Sequence, residues 1–290
     1  MQSISKPKKF MYQEKIKNLE VDGAALIHPT RYHFFLGGHD LEMVTISELV
    51  ARHSAFVIHD RQLRWGAKAS DYCTEIAAAL EAAATPVLIE LKLDLPLPPD
   101  KIRIIDHHGT QAGHDKPTSL EQVFALLNLP DTLWDRHLQL VAANDRGYIP
   151  AMLELDASRA EIEFIRQQDR HAQGITAAEE QAAAAAVQQL DYLLDGRLIV
   201  AHLLHNKTAA LVDRLQLGQL DQSDAGCGNI LVFSPREVNF FGNGEAVYAL
   251  ASAFPGGWYG GDLPIKGFWG LADGDCPKPG LIAVLEKTLQ

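Results

Sequence analysis

Apolar residues are gathered into short blocks along this chain instead of alternating one by one with polar ones. Residues 33–37 (HFFLG), 55–59 (AFVIH), 86–91 (PVLIEL) and 101–105 (KIRII) are such blocks. Each is too short for a helix and ends in glycine or a polar turn, which predicts strands buried on both faces. Between them, Thr45–Arg52 and a stretch around Asp71–Ala84 carry helical patterning. Continuous apolar strands alternating with helices predict a parallel sheet covered by helices. In such a sheet ligands bind beyond the carboxyl ends of the strands. His39, Asp40, His59, Asp60, Glu90, Asp106, His107 and His108 all fall at or just past strand ends.

The middle of the chain reads differently. Thr118 with Glu121, Ser158 with Glu161 and Thr176 with Glu179 have the spacing of capping boxes, in which hydroxyl and carboxylate satisfy the free N–H groups of a helix start. The stretch from Ala157 to Leu194 is therefore expected to be helical and polar. A second α/β unit follows. Arg197–Leu204, Ile230–Phe233 and Val238–Phe241 read as strands, and Lys207–Leu215 and Glu245–Phe254 as helices. The expected organisation is α/β: a parallel-sheet domain over residues 1–155, a helical connector over 156–195 and a smaller α/β domain over 196–290.

Composition narrows the function. The 290 residues carry a formal net charge of -11. A protein that tracks a long polyanion needs a basic footprint to displace counterions. Beyond Lys6–Lys9 and the Lys15/Lys17 pair there is none, so a long duplex nucleic acid is not an expected partner. A small anionic ligand remains compatible, since one local positive site or a metal outweighs overall charge. No apolar run approaches the roughly 20 residues of a membrane span, and the N-terminus lacks a secretory pattern. Three cysteines, Cys73, Cys227 and Cys276, without CxxC spacing, suggest buried structural thiols in a reducing compartment. The expected location is the cytoplasm.

The strongest chemical signal is Asp106-His107-His108-Gly109 after KIRII. Successive strand residues point to opposite faces, so three adjacent metal-capable side chains cannot all face the core. Carboxylate and imidazole together suit Mn²⁺, Fe²⁺ or Zn²⁺ better than Ca²⁺. The glycine-rich segment Phe254–Gly270 (FPGGWYGGDLPIKGFWG) offers two readings. Its glycines let a backbone approach a ligand, with Trp258, Tyr259, Phe268 and Trp269 available to stack. Alternatively it is a hinged hairpin whose aromatics pack on the core.

The strand-DHH-Gly match at Ile104–Gly109 resembles the DHH phosphoesterases. Asp145 within LVAANDRGYIPAM resembles that family's fourth motif. Ser234-Pro235-Arg236, the helix Glu245–Phe254 and the Gly256-Gly257 turn resemble the accessory domain usually joined to it, the DHHA1 type. The resemblance implies a hydrolase that holds one or two divalent ions, Mn²⁺ foremost with Mg²⁺ as alternative, and cleaves a small phosphorylated substrate such as a nucleotide, short oligonucleotide or phosphometabolite. It implies His107 and Asp145 as metal ligands, with Glu90 as the positional match for the second motif and Asp94 and Asp60 as alternatives. It implies Asp106 and His108 in catalysis, orienting ligands or binding phosphate. The family's first motif is missing in its usual form; His39, Asp40, Glu42 and Asp60 are the groups that could replace it. Arg61 and Arg64, together with Gly256, Gly257, Trp258, Gly260 and Gly261, are candidates for substrate binding. A homodimer is compatible with the sequence. The missing first motif also motivates a second reading, a non-hydrolytic nucleotide- or cofactor-binding protein on the same scaffold.

Overall fold

The computed structural model describes residues 31–64, 66–113, 115–219, 228–272 and 278–290. The N-terminal lysines, His28, Trp65, His114, Cys227 and Cys276 lie outside these residues.

Four apolar runs form one sheet: β1 (Tyr32–Leu36), β2 (Val57–His59), β3 (Thr85–Ile89) and β4 (Arg103–Ile105). All pair in parallel, in the order β2-β1-β3-β4. Helix α1 (Leu41–His53) follows β1 directly, with Asp40 as N-cap accepting from the Met43 amide at 2.9 Å. On one face α1, α3 (Ser119–Leu126), α4 (Arg136–Leu153) and α5 (Arg159–Ala172) enclose a core that includes Phe34, Ile46, Val87, Val141 and Ile162. On the other face α2 (Cys73–Glu81) closes a smaller core around Phe35, Tyr72, Ile76 and Leu88.

The second sheet has six strands: β5 (Asp191–Leu193), β6 (Leu198–His202), β7 (Asn229–Phe233), β8 (Glu237–Asn243), β9 (Trp258–Gly260) and β10 (Lys266–Ala272). Their order is β5-β6-β7-β8-β10-β9, with only β6 and β7 parallel. Helices α8 (Gly244–Ala253) and α9 (Lys278–Thr288) cover one face, and α6 (Ala177–Ala186) and α7 (Ala209–Gln219) the other.

All three capping boxes form as the sequence predicts. Four further features complete or depart from the sequence reading. First, Asp191–Leu193 ends the polar helical stretch as a strand. Leu194, Asp195 and Gly196 adopt positive φ and turn the chain back so that β5 pairs with β6. Second, of the two readings of the glycine-rich segment the hairpin is present: Trp258–Gly260 pairs with Lys266–Ala272, and Trp269 is fully buried in the core. Third, Lys278–Thr288 is a helix, with Leu281 and Leu285 on its buried side. Fourth, Cys73 is exposed, because it opens α2 on its solvent side.

Among the described residues, no helix is long and apolar enough to cross a membrane.

Candidate metal centre

The strand order sets where the chemistry collects. From β1 the chain crosses to β2 on one side, and β3 then takes the other side of β1. The connections therefore diverge between β1 and β3, and ligands of open α/β sheets bind at such a point. Asp40 and Glu42 follow β1 there, Glu90 follows β3, and Asp106–His108 follow β4. Gly37 allows the approach: a Cβ at this position would overlap the carbonyl oxygens of Ile89 and Glu90.

Four donors from four segments converge. Glu42, Glu90, His107 and Asp145 each present a ligand atom, all within 4.8 Å of one another. His107 is buried between two of them; its Nδ1 lies 3.1 Å from Glu90 Oε1 and its Nε2 is in close contact with Asp145 Oδ2. Ser119, the first residue of α3, donates to Glu90 Oε1 at 2.8 Å. The next amide, of Leu120, donates to Glu42 Oε1 at 2.8 Å. The N-terminus of α3 thus serves both carboxylates, where backbone N–H groups and the helix dipole favour anions. Glu90 itself has φ of 53°, a left-handed conformation that is strained for a side chain bearing Cβ.

His108 forms a second set with Glu90 and His107. Asp106 Oδ1 accepts from the His108 amide at 2.8 Å and lies 3.1 Å from its ring Nδ1. Gln122 of α3 donates to the Asp106 carbonyl at 3.1 Å and steadies the loop. Asp106 and His108 are both partly open to solvent, in contrast to His107.

Burial without enough positive charge dominates the electrostatics. Asp40 and Glu42 are held well above the usual carboxylate range, first by burial and then by repulsion from Asp145 and Glu90. Burial also opposes ionisation of Glu90, but His108, His107 and Ser119 reverse it and bring the group down to about 2. Burial disfavours His107 as a cation, and Asp145 and Glu90 outweigh that, so its imidazolium persists well above the ordinary range. Glu42 Oε2 and Glu90 Oε2 are buried without a hydrogen-bond partner among the described residues. Such oxygens are costly to bury unless a cation or donor meets them. Three carboxylates and one imidazole converging on one point meet the needs of a divalent ion with mixed oxygen and nitrogen ligands.

The sequence matches no protein-family model and no curated protein. Among solved structures it is similar to RecJ from Thermus thermophilus in complex with Mn²⁺, at 14% identity and a TM-score of 0.47, covering 97% of this chain and 53% of the other. It is also similar to the DHH domain of a member of the s1p family of ribosomal proteins, at 14% identity and a TM-score of 0.46, covering 90% and 87%. A third is an exopolyphosphatase-related protein from Bacteroides fragilis, at 9% identity and a TM-score of 0.42, covering 97% and 94%. The chain is similar to DHH-domain proteins. It spans about half the length of the RecJ structure.

The other candidate residues distribute as follows. Asp40 is buried beside the four donors and caps α1, and it belongs to neither converging set. His39 and Asp60 also lie outside both sets. Asp60 follows β2, on the far side of β1 from β3, and its carboxylate accepts from the Gln62 amide in an exposed turn at 2.7 Å. Asp94 is likewise engaged elsewhere, accepting from Ser70 at 2.7 Å. Arg61 is paired with Glu75 and lies over the Tyr72 ring, and Arg64 is exposed in the same loop.

The glycine-rich hairpin does reach the centre. Gly260 stands against the DHH loop; a Cβ there would lie 3.2 Å from His108 Cδ2 and 2.9 Å from Phe268 Cζ. Gly261, at φ of 107°, turns the chain just beyond it. Gly256 and Gly257 form the turn before β9, and half-exposed Trp258 opens that strand, packed over Gly270.

Glu42 is the donor least evident in the sequence. The acids at Asp40 and Glu42 are visible there, but only the helix start at Leu41 shows that Glu42 points inward. Ser119 gave no signal beyond its place after a capping threonine.

Proposed function

We propose that this chain is a divalent-metal-dependent phosphoesterase acting on a small phosphorylated substrate. The observation that carries the reading is the convergence of Glu42, Glu90, His107 and Asp145 with buried carboxylate oxygens left uncompensated. Mn²⁺ is the preferred ion and Mg²⁺ the alternative, with these four residues as the ligands. When bound, such an ion polarises a phosphoryl oxygen and makes water a nucleophile near neutral pH.

The protein's own groups do the rest. Glu42 and Glu90 are fixed by the N-terminus of α3, so the donor geometry exists before any ligand arrives. Asp106 orients the His108 ring, leaving this partly exposed imidazole at the mouth of the site to contact a phosphate oxygen and to move a proton at a ring nitrogen. The substrate, a nucleotide, short oligonucleotide or phosphometabolite, lies between the carboxyl ends of the first sheet and the β9–β10 hairpin. Gly260 brings that hairpin to the His108 wall; Gly257 and Gly261 are demanded by the hairpin's own close packing, and Gly256, with open space beside it, is where the backbone can approach the rest of the ligand.

The test is Mn²⁺-dependent release of phosphate or nucleotide from a dinucleotide, 3′,5′-bisphosphorylated adenosine, pyrophosphate and a generic phosphodiester. Asp106→Ala and His107→Ala are assayed beside the unaltered protein. Turnover that requires the metal and both residues is expected. Turnover that survives both substitutions would sink the reading. Bound metal with no turnover on any substrate favours a non-hydrolytic binding protein.

A further inference from the structure

A second cluster of buried charge lies behind the donors. Arg166 of α5 is fully buried. Its Nη1 donates to Asn144 Oδ1 at 2.7 Å and to Asp169 Oδ2 at 2.8 Å, and its Nε donates to Asp213 Oδ1 at 2.7 Å. Asp213 belongs to α7, on the second sheet, and also meets Arg170. Arg170 and Arg214 in turn share Glu180, at 2.9 and 2.6 Å. Three guanidiniums thus face three carboxylates.

Two strands of this network end at the donor residues. Asn144 immediately precedes Asp145. Asp169 accepts, through Oδ1, from the Leu41 amide at 3.1 Å, and Leu41 lies between Asp40 and Glu42. A third strand reaches the other wall of the site. The Arg166 guanidinium sits 5.1 Å from the centre of the Tyr148 ring. Tyr148, at φ of 54°, breaks helix α4 three residues after Asp145. Its ring packs edge-on against Phe241 and Phe268, each at 6.0 Å, and Phe268 lies 6.2 Å from His108.

We propose that Arg166 is a positioning residue: it sets the separation between the Asp145 and Glu42 segments that the metal requires, and ties that separation to helix α7 of the second sheet. This rests on the metal reading given above. A guanidinium suits the task because its planar fork holds several acceptors at fixed angles, which an ammonium does not. Residues that orient metal ligands without touching the metal typically change affinity by about 10–100-fold when altered.

The experiment is calorimetric titration of the full chain with Mn²⁺, with folding checked by circular dichroism. Arg166→Lys, Asn144→Ala and Asp213→Asn are compared with the unaltered protein. Mn²⁺ affinity should fall about 10–100-fold in Arg166→Lys and by a smaller factor in Asn144→Ala. If Arg166→Lys does not fold, Asn144→Ala and Asp213→Asn decide, since the first removes one acceptor, the second removes one charge, and both leave the guanidinium in place. Folded variants that bind Mn²⁺ as tightly as the unaltered protein overturn the positioning role and leave the metal reading standing. An unaltered protein that binds no Mn²⁺ overturns both.

Discussion

Two clusters of buried charge sit back to back in this molecule, and they are built on opposite terms. Around Arg166, three guanidiniums meet three carboxylates, each held by specific hydrogen bonds. Around His107, Asp40, Glu42, Glu90 and Asp145 crowd together with one buried imidazole among them. In the first cluster every carboxylate has a guanidinium partner, and burying it is tolerable because its charges are paired, although burial still lifts Asp213 above the ordinary carboxylate range. The second is in deficit of positive charge, and burial followed by mutual repulsion raises the ionisation of Asp40 and Glu42. Clusters of perturbed, uncompensated buried charge are common at functional sites, which is why the second cluster carries the metal proposal.

The contrast breaks most sharply at His107 and Asp145. His107→Ala or Asp145→Asn should lower turnover by on the order of 10²–10³-fold or more, as loss of one preorganised contact to developing charge does; steady-state rates with Mn²⁺ in excess check this. Next comes the compensated cluster. Asp213→Ala leaves Arg166 buried with a partner missing, and should destabilise the fold by about 3–5 kcal/mol in urea unfolding. The mirror experiment has the opposite sign. Glu42→Gln fixes this side chain in the uncharged form that the folded state favours, while its amide oxygen still accepts from Leu120. It should raise the stability of the metal-free protein by about 1 kcal/mol and weaken metal binding at the same time. Equal destabilisation by both substitutions would erase the distinction between the clusters.

The pH dependence follows from the same groups. Asp40 and Glu42 ionise above the ordinary carboxylate range in the folded state, so the folded state favours their protonated forms. His107, raised above its ordinary range, likewise favours its proton. Each contribution is fully present below the group's unfolded value and is lost as pH rises through the folded one. Glu90 works in the other sense: its contribution is present above the ordinary carboxylate value and is lost only as pH falls through about 2. The metal-free protein should therefore melt at progressively lower temperature from mildly acidic to mildly alkaline pH. Mn²⁺ should flatten this slope, since it replaces the protons and releases them on binding; thermal scans with and without the ion would show it. The smallest effect is expected at the wall of the site. Gly260→Ala moves Phe268 and the His108 ring by tenths of an ångström, and should raise KM by about 10-fold or less with little change in stability.

The sequence made one half of this comparison legible and hid the other. Short apolar runs marked the strands, and the rule that ligands gather at carboxyl ends then picked out Glu90, Asp106 and His107 without a structure. Asp60 satisfied the same rule and still stands apart, because the order of strands, which no local pattern encodes, put β2 on the wrong side of β1. Arg166 was hidden for a different reason. In α5 the inward stripe is Ile162, Ile165, Arg166 and Asp169, at proper helical spacing, but half of it is charged. A helix face of that composition reads as solvated until its partners, Asp213 on a distant helix and Asn144 in α4, are seen to meet it. The β5 strand was missed because three residues between a polar helix and a turn carry too little pattern to register.

Arg166 also bears on whether the molecule can be divided. A fragment ending after α6 would keep every metal donor, yet it would lose Asp213 and the hairpin that rests on His108, and it would expose Ala112, which packs in the core of the second sheet. The two sheets have separate cores, but a buried ion pair joins the helices that cover them. The seam between them runs through a salt bridge that neither side completes alone, so a gene cut there is expected to yield two pieces less stable than the whole.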